Sequence, residues 1–495
     1  MERPEGPLHS PEEILTPMGK RDRSRRIAHN FTFLALSDLV GRLSTWGLVA
    51  YLGRHWTVSL YGEYSVAVTW VGIFAVLGEF GLNALAVREV AHRKGKTSFY
   101  LRHVMVIRAS FSLLFWGLLI GISLLLRYEA LLTLAMAVMG LRLILDSLEG
   151  GYIYLFQAHQ DLGPYSFAKV LGALVRFVGI ILMVWAGTGL VGASSVWTIA
   201  SGFSFLTLWT WGSRRGWKPA FHRYRLSDSW GVLRMAIPLA TFGALQTLYY
   251  RVDAVILKSL SGNEAVGFYD MATKVLIVVL SVSQLYSQAV FPVFASLRDK
   301  PRDFGRLAFQ CSKVLVLLGL PMTVGGFFLA EPVLRLVGGP QYGPSGPAFA
   351  VLALSILPFF VANIYVDVLA VKNTARLNLQ FVVLFVLNVL LNFLFIPRWQ
   401  FVGAAWATVF CEYAGVLLGF YLAAPYLKKM GKVPWQKPLT ASTLACGIMG
   451  LGLFYFPHLY WLLLGPIVYA IGLHFLGGLD GEDRANLRSI LRISN

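Results

Sequence analysis

Apolar runs of about 20 residues recur along almost the whole of this 495-residue chain, with only short polar gaps between them. A run of that length, wound into an α-helix, crosses the roughly 30 Å hydrocarbon core of a bilayer. Hydrophobic residues make up 56% of the sequence, more than a soluble protein usually carries. The sequence therefore predicts an all-α polytopic integral membrane protein, and no stretch is long enough for a separate soluble domain.

The apolar runs define about 14 transmembrane helices. We place the spans at about 30–53, 62–85, 104–126, 130–150, 164–186, 190–212, 233–258, 266–292, 308–330, 346–371, 377–396, 401–424, 438–457 and 459–477.

Basic residues are concentrated on alternate loops between these spans. The loops of one side hold clusters such as Arg21, Arg23, Arg25 and Arg26. The opposite loops hold little beyond Arg54, Arg127, Arg335 and Arg398. Under the positive-inside rule, this alternation predicts a multi-pass protein of the cytoplasmic membrane with both termini in the cytoplasm. The same topology accounts for most of the net charge of +18, so nucleic acid is not an expected partner.

The chain contains an internal repeat. Tyr61-Gly62-Glu63-Tyr64 lies over Val266-Gly267-Phe268-Tyr269 at an ungapped shift of about 205 residues. Each copy holds six spans, so the halves share one orientation, as in transporters that enclose a midplane site. We expect two pseudo-symmetric six-helix bundles and two additional C-terminal helices. The predicted boundaries are a cytoplasmic tail at 1–28, bundles at 29–225 and 226–427, two further helices at 428–478 and a second tail at 479–495.

Signatures of common enzymes are absent from the sequence. There is no Gly-x-x-x-x-Gly-Lys-Ser/Thr phosphate-binding loop, no His-Glu-x-x-His and no Gly-x-Ser-x-Gly motif. The three cysteines, Cys311, Cys411 and Cys446, lie in apolar runs without metal-ligand or paired spacing. We therefore expect a transporter with no catalytic residue, no metal site and no cofactor other than an H⁺ or Na⁺ coupling ion.

Charged side chains inside the spans are candidates for function, because an ionisable group near the bilayer centre costs several kcal/mol. Several are spaced to pair within one helix or lie near an opposite charge, and a structural ion pair is the alternative role for each. These coupling or ion-pair candidates are Asp38 with Arg42, Arg142 with Asp146, Asp270 with Lys274, Asp253 beside Arg251, and also Glu79, Asp367 and Glu412.

Three further cations have no opposite charge three or four residues away. Arg108, Arg176 and Lys313 are therefore candidates for a cationic cavity that receives an anionic ligand. Snorkelling to the interface or pairing with another helix is the alternative for each.

Several short segments resemble the polysaccharide (O-antigen, Wzx-like) flippase family of the multidrug/oligosaccharidyl-lipid/polysaccharide exporter superfamily. In the first half they are Tyr51-Leu52-Gly53, Tyr61-Gly62-Glu63-Tyr64-Ser65, Glu79-Phe80-Gly81-Leu82-Asn83 and Val87-Arg88-Glu89-Val90-Ala91. In the second half they are Gly339-Pro340-Gln341-Tyr342, Asn388-Val389-Leu390-Leu391-Asn392, Ile396-Pro397-Arg398 and Val402-Gly403-Ala404-Ala405. The resemblance covers about 28–425.

The resemblance implies a V-shaped pair of six-helix bundles that moves a lipid-linked saccharide, such as an undecaprenyl-pyrophosphate oligosaccharide, across the membrane by alternating access. It implies Arg42 and Arg251 as phosphate-side residues of the cationic cavity, with Asp38 and Asp253 as their modulators. The expected partners are this substrate, membrane lipid, and the polymerase and other glycan-assembly proteins.

Two other functions fit parts of the sequence. A multidrug or metabolite cation antiporter of the same superfamily would favour unpaired carboxylates in the spans, whereas Arg108 and Arg176 are unpaired arginines. A membrane-embedded saccharide polymerase or ligase would need a long outer loop with catalytic residues, whereas every outer loop here is short. The energy source is open between an ion gradient and the membrane potential.

Overall fold

The computed structural model describes residues 20–92, 94–221, 224–427 and 436–478. These residues form helices joined by short loops, and none of them lies in a β-strand. Within the described ranges, ten helices are long and apolar enough to cross a membrane, a further bent pair forms one span, and Trp461–Phe475 is a shorter apolar helix. The chain is a multi-pass membrane protein, and the predicted all-α fold is confirmed.

The described residues of the first half contain eight α-helices for its six predicted spans. The second span breaks at Phe80 and Gly81, whose φ angles of 46° and 65° are both left-handed, and the fourth breaks at Leu141. The helices are α1 (Lys20–His55), α2 (Val58–Glu79), α3 (Leu82–His92), α4 (Thr97–Leu125), α5 (Ala130–Gly140), α6 (Arg142–Ala158), α7 (Leu162–Trp185) and α8 (Gly189–Arg214).

The described part of the second half has six α-helices, two of which hold two predicted spans each, and two further helices follow it. The chain reverses inside them, at Gly262 with φ 82° and at Gln400 with φ 48°. The helices are α9 (Leu226–Ser296), α10 (Pro301–Phe328), α11 (Ala330–Gly338), α12 (Gly346–Ala353), α13 (Ile356–Lys372), α14 (Thr374–Leu427), α15 (Gln436–Tyr455) and α16 (Trp461–Phe475). Because α12 and α13 form one span bent by 44°, every predicted span coincides with helix.

Part of the segment predicted as the first tail is helical. α1 begins at Lys20, so 20–28 is helical, because Lys and Arg are good helix formers and continue the helix beyond its apolar part. Residues 1–19, the predicted tail at 479–495 and the first residues of the predicted 428–478 unit lie outside the described ranges.

Helices of each half pack mainly on one another, and the halves meet along α2 and α9. α15 and α16 form a separate small core with α10, around Ala445, Met449 and Tyr469. The start of α9 packs on the first half, because Val232 and Ala236 are buried in the same cluster as residues of α3 and α4. α9 therefore links the two bundles.

A close approach between the halves joins the two copies of the repeat. A Cβ on Gly62 would overlap the carbonyl oxygen of Asn263, and a Cβ on Gly267 would overlap that of Val58. The 205-residue shift carries Gly62 onto Gly267 and Val58 onto Asn263. The two contacts are therefore equivalent, as a pseudo-twofold axis between the halves requires. Two backbones approach this closely only where side chains are absent. We call this the outer contact, since it lies beside the loops predicted on the outer side.

Polar bonds reinforce the outer contact from both halves. The Tyr61 hydroxyl donates to the Asp270 carboxylate at 2.7 Å, and Asn263 Nδ2 donates to Glu63 at 3.1 Å. The side chain of Gln341 donates to the carbonyl of Gly53. The structure is therefore closed at this end by bonds that cross between the bundles.

Candidate functional site

Two guanidinium groups lie over one indole ring in the interior of the first half. Arg142 begins α6, Arg176 lies in α7, and both Cζ atoms are 4.5 Å from the ring centroid of Trp197 in α8. Arg251 of α9 and Arg176 both interact electrostatically with Arg142. We call these four residues the arginine centre, and three of its members are residues that the sequence predicted for function.

The indole ring is held in place by a second aromatic residue. Trp197 Nε1 donates a hydrogen bond of 2.9 Å to the hydroxyl of Tyr64, a residue of the Gly-x-Tyr repeat in α2. A cation–π contact stabilises a guanidinium by about 0.5–2 kcal/mol without using its N–H donors. The arrangement therefore fixes two arginines and leaves donor groups unoccupied.

The arginine centre carries an excess of positive charge. Arg142 pairs with Asp146 at 3.0 Å and Lys274 pairs with Asp270 at 3.3 Å, which confirms both predicted four-residue pairs. Arg176 and Arg251 remain outside these two ion pairs. Neither of these two arginines makes a hydrogen bond or ion pair to any residue in the described ranges, and the buried Nε of Arg176 has no partner there. Buried donors without a partner are uncommon and call for an explanation.

Arg251 reaches from the second half into the first. A Cβ on Gly72 of α2 would lie 2.5 Å from Nη1 of Arg251, so the guanidinium occupies the space that this glycine leaves. Asp270 is the carboxylate with the largest electrostatic effect on Arg251. The arginine centre therefore lies between the two bundles, where a motion of one bundle against the other would change it.

Arg108 belongs to a neighbouring, more completely bonded group. It is buried in α4 and donates to Asn83 at 2.5 Å and to the carbonyl of Asp146 at 3.2 Å. Gly150 leaves room for its guanidinium, and Glu79 interacts with it electrostatically. This network joins α3, α4 and α6. Arg108 therefore has the structural role, bonding to other helices, that was the predicted alternative to ligand binding.

Two predicted pairings are wrong. Asp38 forms an ion pair with Lys169 of α7, not with Arg42, because α1 packs on α7 and brings that lysine closer. Arg42 is exposed and has no ion pair within the described ranges. Asp253 does not pair with Arg251, since residues two apart on a helix face different directions. It accepts a hydrogen bond of 2.5 Å from Tyr269 instead.

The second half buries carboxylates that contact hydroxyl groups. Asp253 accepts from Tyr269, Asp367 from Ser287 at 2.7 Å, and Glu412 from Tyr249 at 3.0 Å. None of the three has a salt bridge to a residue that the structure describes. Lys313, the remaining predicted cavity cation, is buried in α10 at 6% exposure and has an interaction partner in the protein, so it is not an open cation.

Sequence reasoning missed Trp197 and Lys169. Lys169 is a charge inside the predicted fifth span, and the criterion applied to the other intramembrane charges would have found it. Trp197 lies seven residues inside the predicted sixth span. A tryptophan so far from a span end is poorly explained as an interfacial anchor. Its position in the span could therefore have indicated a role inside the bundle.

The fold and the site define a two-bundle membrane protein with a cationic centre between its halves. The chain belongs to the polysaccharide biosynthesis protein family, whose model matches residues 27–298. The resemblance seen in the sequence is thereby confirmed.

Three curated relatives illustrate the range of this group. The capsular polysaccharide biosynthesis protein CapF of Staphylococcus aureus is 23% identical over 192 residues, 38% of this chain and 48% of CapF. The probable multidrug resistance protein YpnP of Bacillus subtilis (strain 168) is 27% identical over 210 residues, 41% of this chain and 46% of YpnP. The probable flippase AglR of Haloferax volcanii is 26% identical over 226 residues, 43% of this chain and 46% of AglR. The match spans about half the length of each relative.

Solved structures share the fold over most of the chain. The lipid II flippase MurJ in an inward closed conformation matches with a TM-score of 0.67 at 16% identity, covering 89% of this chain and 97% of MurJ. An inward-facing MATE family multidrug transporter of the MOP superfamily matches with a TM-score of 0.64 at 15% identity, covering 79% of this chain and 96% of the other. The chain therefore shares its fold with these two proteins.

Proposed function

We propose that this protein is a flippase that moves a lipid-linked saccharide precursor across the membrane by alternating access. The observation that carries the proposal is the arginine centre, where Arg176 of the first bundle and Arg251 of the second form no ion pair within the described ranges. A phosphate that leaves the headgroup region loses its hydration, and guanidinium groups replace it with charge-assisted bidentate hydrogen bonds. The lipid tail can stay in hydrocarbon while the phosphate crosses. Family membership and the names of CapF and AglR support this substrate class.

The proposed location is the cytoplasmic membrane, with both termini in the cytoplasm. The alternation of basic loops supports this orientation. The substrate is loaded on the basic side and released on the side where the outer contact now closes the protein. Polymerase and other glycan-assembly proteins are the partners expected to consume it.

The proposed coupling ion is H⁺ or Na⁺, taken up by the second half. Asp253, Asp367 and Glu412 are buried and bonded to hydroxyls, a setting in which an intramembrane carboxylate can bind a cation. Selective collapse of the proton gradient, the sodium gradient or the membrane potential during transport separates the alternatives. If transport depends only on the potential, these carboxylates have no coupling role.

The relative YpnP and the MATE fold raise a second candidate, a cation antiporter of the same superfamily. Such a site would present carboxylates to its substrate, whereas the centre between the bundles presents Arg176 and Arg251, which form no ion pair with any residue that the structure describes. This charge balance favours an anionic substrate.

The cellular test follows the precursor itself. Deleting the gene in a cell that makes the corresponding surface glycan should leave the lipid-linked precursor on the inner leaflet, and the restored wild-type gene should return it to the outer leaflet. Leaflet sidedness is measured with an impermeant reagent that modifies the saccharide. Normal outward exposure in the deletion strain would refute the proposed function.

A further inference from the structure

A groove of about 540 Å³ lies between α1, α7 and α8, at the end of the first bundle that meets the basic loops. The proposed topology places these loops in the cytoplasm. We call this feature the lateral groove. Gly163 of the groove and Arg176 of the arginine centre both lie on α7, about 20 Å apart along the helix axis at about 1.5 Å per residue. The lateral groove is therefore separate from the arginine centre.

The walls of the lateral groove continue the lipid-facing surface of the bundle. Along α7, Phe167, Leu174 and Leu182 are about half exposed and lie on one face of the helix. An exposed apolar row on a membrane-spanning helix marks contact with lipid. Phe167 is the member of this row nearest the basic loops, and its ring stacks on Trp211 at a centroid distance of 5.5 Å. With Phe33 of α1, these rings form an apolar wall that is open to the bilayer.

Two consecutive arginines at the end of α8 line this groove and differ in their contacts. Arg215 forms an ion pair with Asp161, and its Cζ lies 5.1 Å from the ring centroid of Phe156. These contacts hold the end of α8 on the turn between α6 and α7. Arg214 is exposed and makes no hydrogen bond or ion pair within the described ranges. The lateral groove therefore combines an apolar wall with an available cation at its cytoplasmic end.

We propose that the lateral groove binds an anionic phospholipid of the inner leaflet, with the phosphate at Arg214 and one acyl chain along the aromatic wall. Basic pockets between transmembrane helices on the cytoplasmic side bind anionic headgroups, and a guanidinium binds a phosphate bidentately. A zwitterionic headgroup would add its own cation beside Arg214 and Arg215, so charge complementarity favours a lipid with net negative charge. A lipid held in this way contacts three helices and stabilises their packing. The site is independent of the transported substrate.

The first test is lipid binding by the purified, delipidated full-length protein, measured by native mass spectrometry. Wild-type protein should bind dioleoyl phosphatidylglycerol about fivefold more tightly than dioleoyl phosphatidylcholine, the effect of one arginine near an anionic headgroup. Arg214→Ala should lower this ratio to about one, because that cation is lost. The matched control is Lys218→Ala, which removes an exposed cation that does not line the groove. It should keep the wild-type ratio.

Filling the lateral groove gives a second and independent test. A Cβ on Gly163 meets nothing within 4 Å, so the side chain of Gly163→Leu extends into the open space of the groove. This variant should bind both phospholipids about tenfold more weakly, the effect of about two methylene groups that lose their burial. The ratio between the two lipids should stay at the wild-type value, because Arg214 remains.

Equal affinity of the wild-type protein for the two phospholipids would overturn the inference, and so would wild-type affinity for phosphatidylglycerol in Arg214→Ala or Gly163→Leu. An equal concentration of farnesyl monophosphate should leave most of the phosphatidylglycerol bound. If it displaces most of this lipid, the groove is a site for the lipid carrier and the inference is wrong. These binding measurements do not involve transport, so their failure leaves the proposed function intact.

Discussion

Replacing Gly62 or Gly267 by valine is expected to hold the bundles apart at their outer ends and to reduce transport by about 5- to 150-fold. A side chain at either position overlaps a backbone carbonyl of the other half, and that carbonyl cannot move away without moving its helix. Overpacking of this kind costs about 1–3 kcal/mol, which is equivalent to that shift in a two-state equilibrium. The closed state seen here is disfavoured, whereas a state open on the outer side has no overlap.

Spin labels at the exposed positions His55 and Leu260 report the separation of the outer ends. In wild-type protein the distance distribution should be short, and in Gly62→Val and Gly267→Val it should move to longer values. Gly117→Val is the control, because a Cβ there meets nothing within 4 Å. Distances and transport that match wild type in both variants would show that the outer contact does not control opening.

Arg251→Ala is expected to reduce transport by about 10- to 150-fold. It removes a charged donor that contacts the ligand phosphate in the proposed function, and a hydrogen bond to a charged group contributes about 1.5–3 kcal/mol. Arg251→Lys should keep part of the activity, since the charge remains and the bidentate fork does not. Transport of the lipid-linked precursor in a deletion strain that expresses each variant is the measurement.

The control for Arg251 is Arg127→Ala, which removes an exposed arginine from a short outer loop. It should transport at the wild-type rate. Loss of the guanidinium leaves a cavity beside Gly72, and a cavity lowers the stability of the folded protein. The amount of each variant in the membrane must therefore be measured and shown to be equal. Full transport by Arg251→Ala would remove this residue from the binding site.

Features set within one helix were predictable from the sequence. Hydropathy located the spans because each must match the bilayer thickness, and the pairs Arg142–Asp146 and Asp270–Lys274 follow from the helical spacing of four residues. The reversal at Gln400 lies in the predicted gap between the spans 377–396 and 401–424. The break at Phe80 and Gly81 was not predicted, since it lies inside one continuous apolar run.

Features set between helices were not predictable. The ion pair of Asp38 with Lys169 and the contacts of Trp197 with Arg142 and Arg176 depend on which helices become neighbours. The repeat shift of 205 residues identified Gly62 and Gly267 as equivalent positions. It did not predict that they lie at the contact between the halves, since a sequence repeat shows which positions correspond and not where the two copies touch.

The most direct test of the account is transport by the purified protein in proteoliposomes. A fluorescent lipid-linked oligosaccharide with a diphosphate linkage is placed in both leaflets, and the fraction accessible to an impermeant quencher is followed over time. The account predicts that wild-type protein makes the inner pool accessible and that Arg251→Ala does so far more slowly. Equal, slow exchange in wild-type, Arg251→Ala and protein-free vesicles, under every imposed ion gradient and membrane potential, would contradict it.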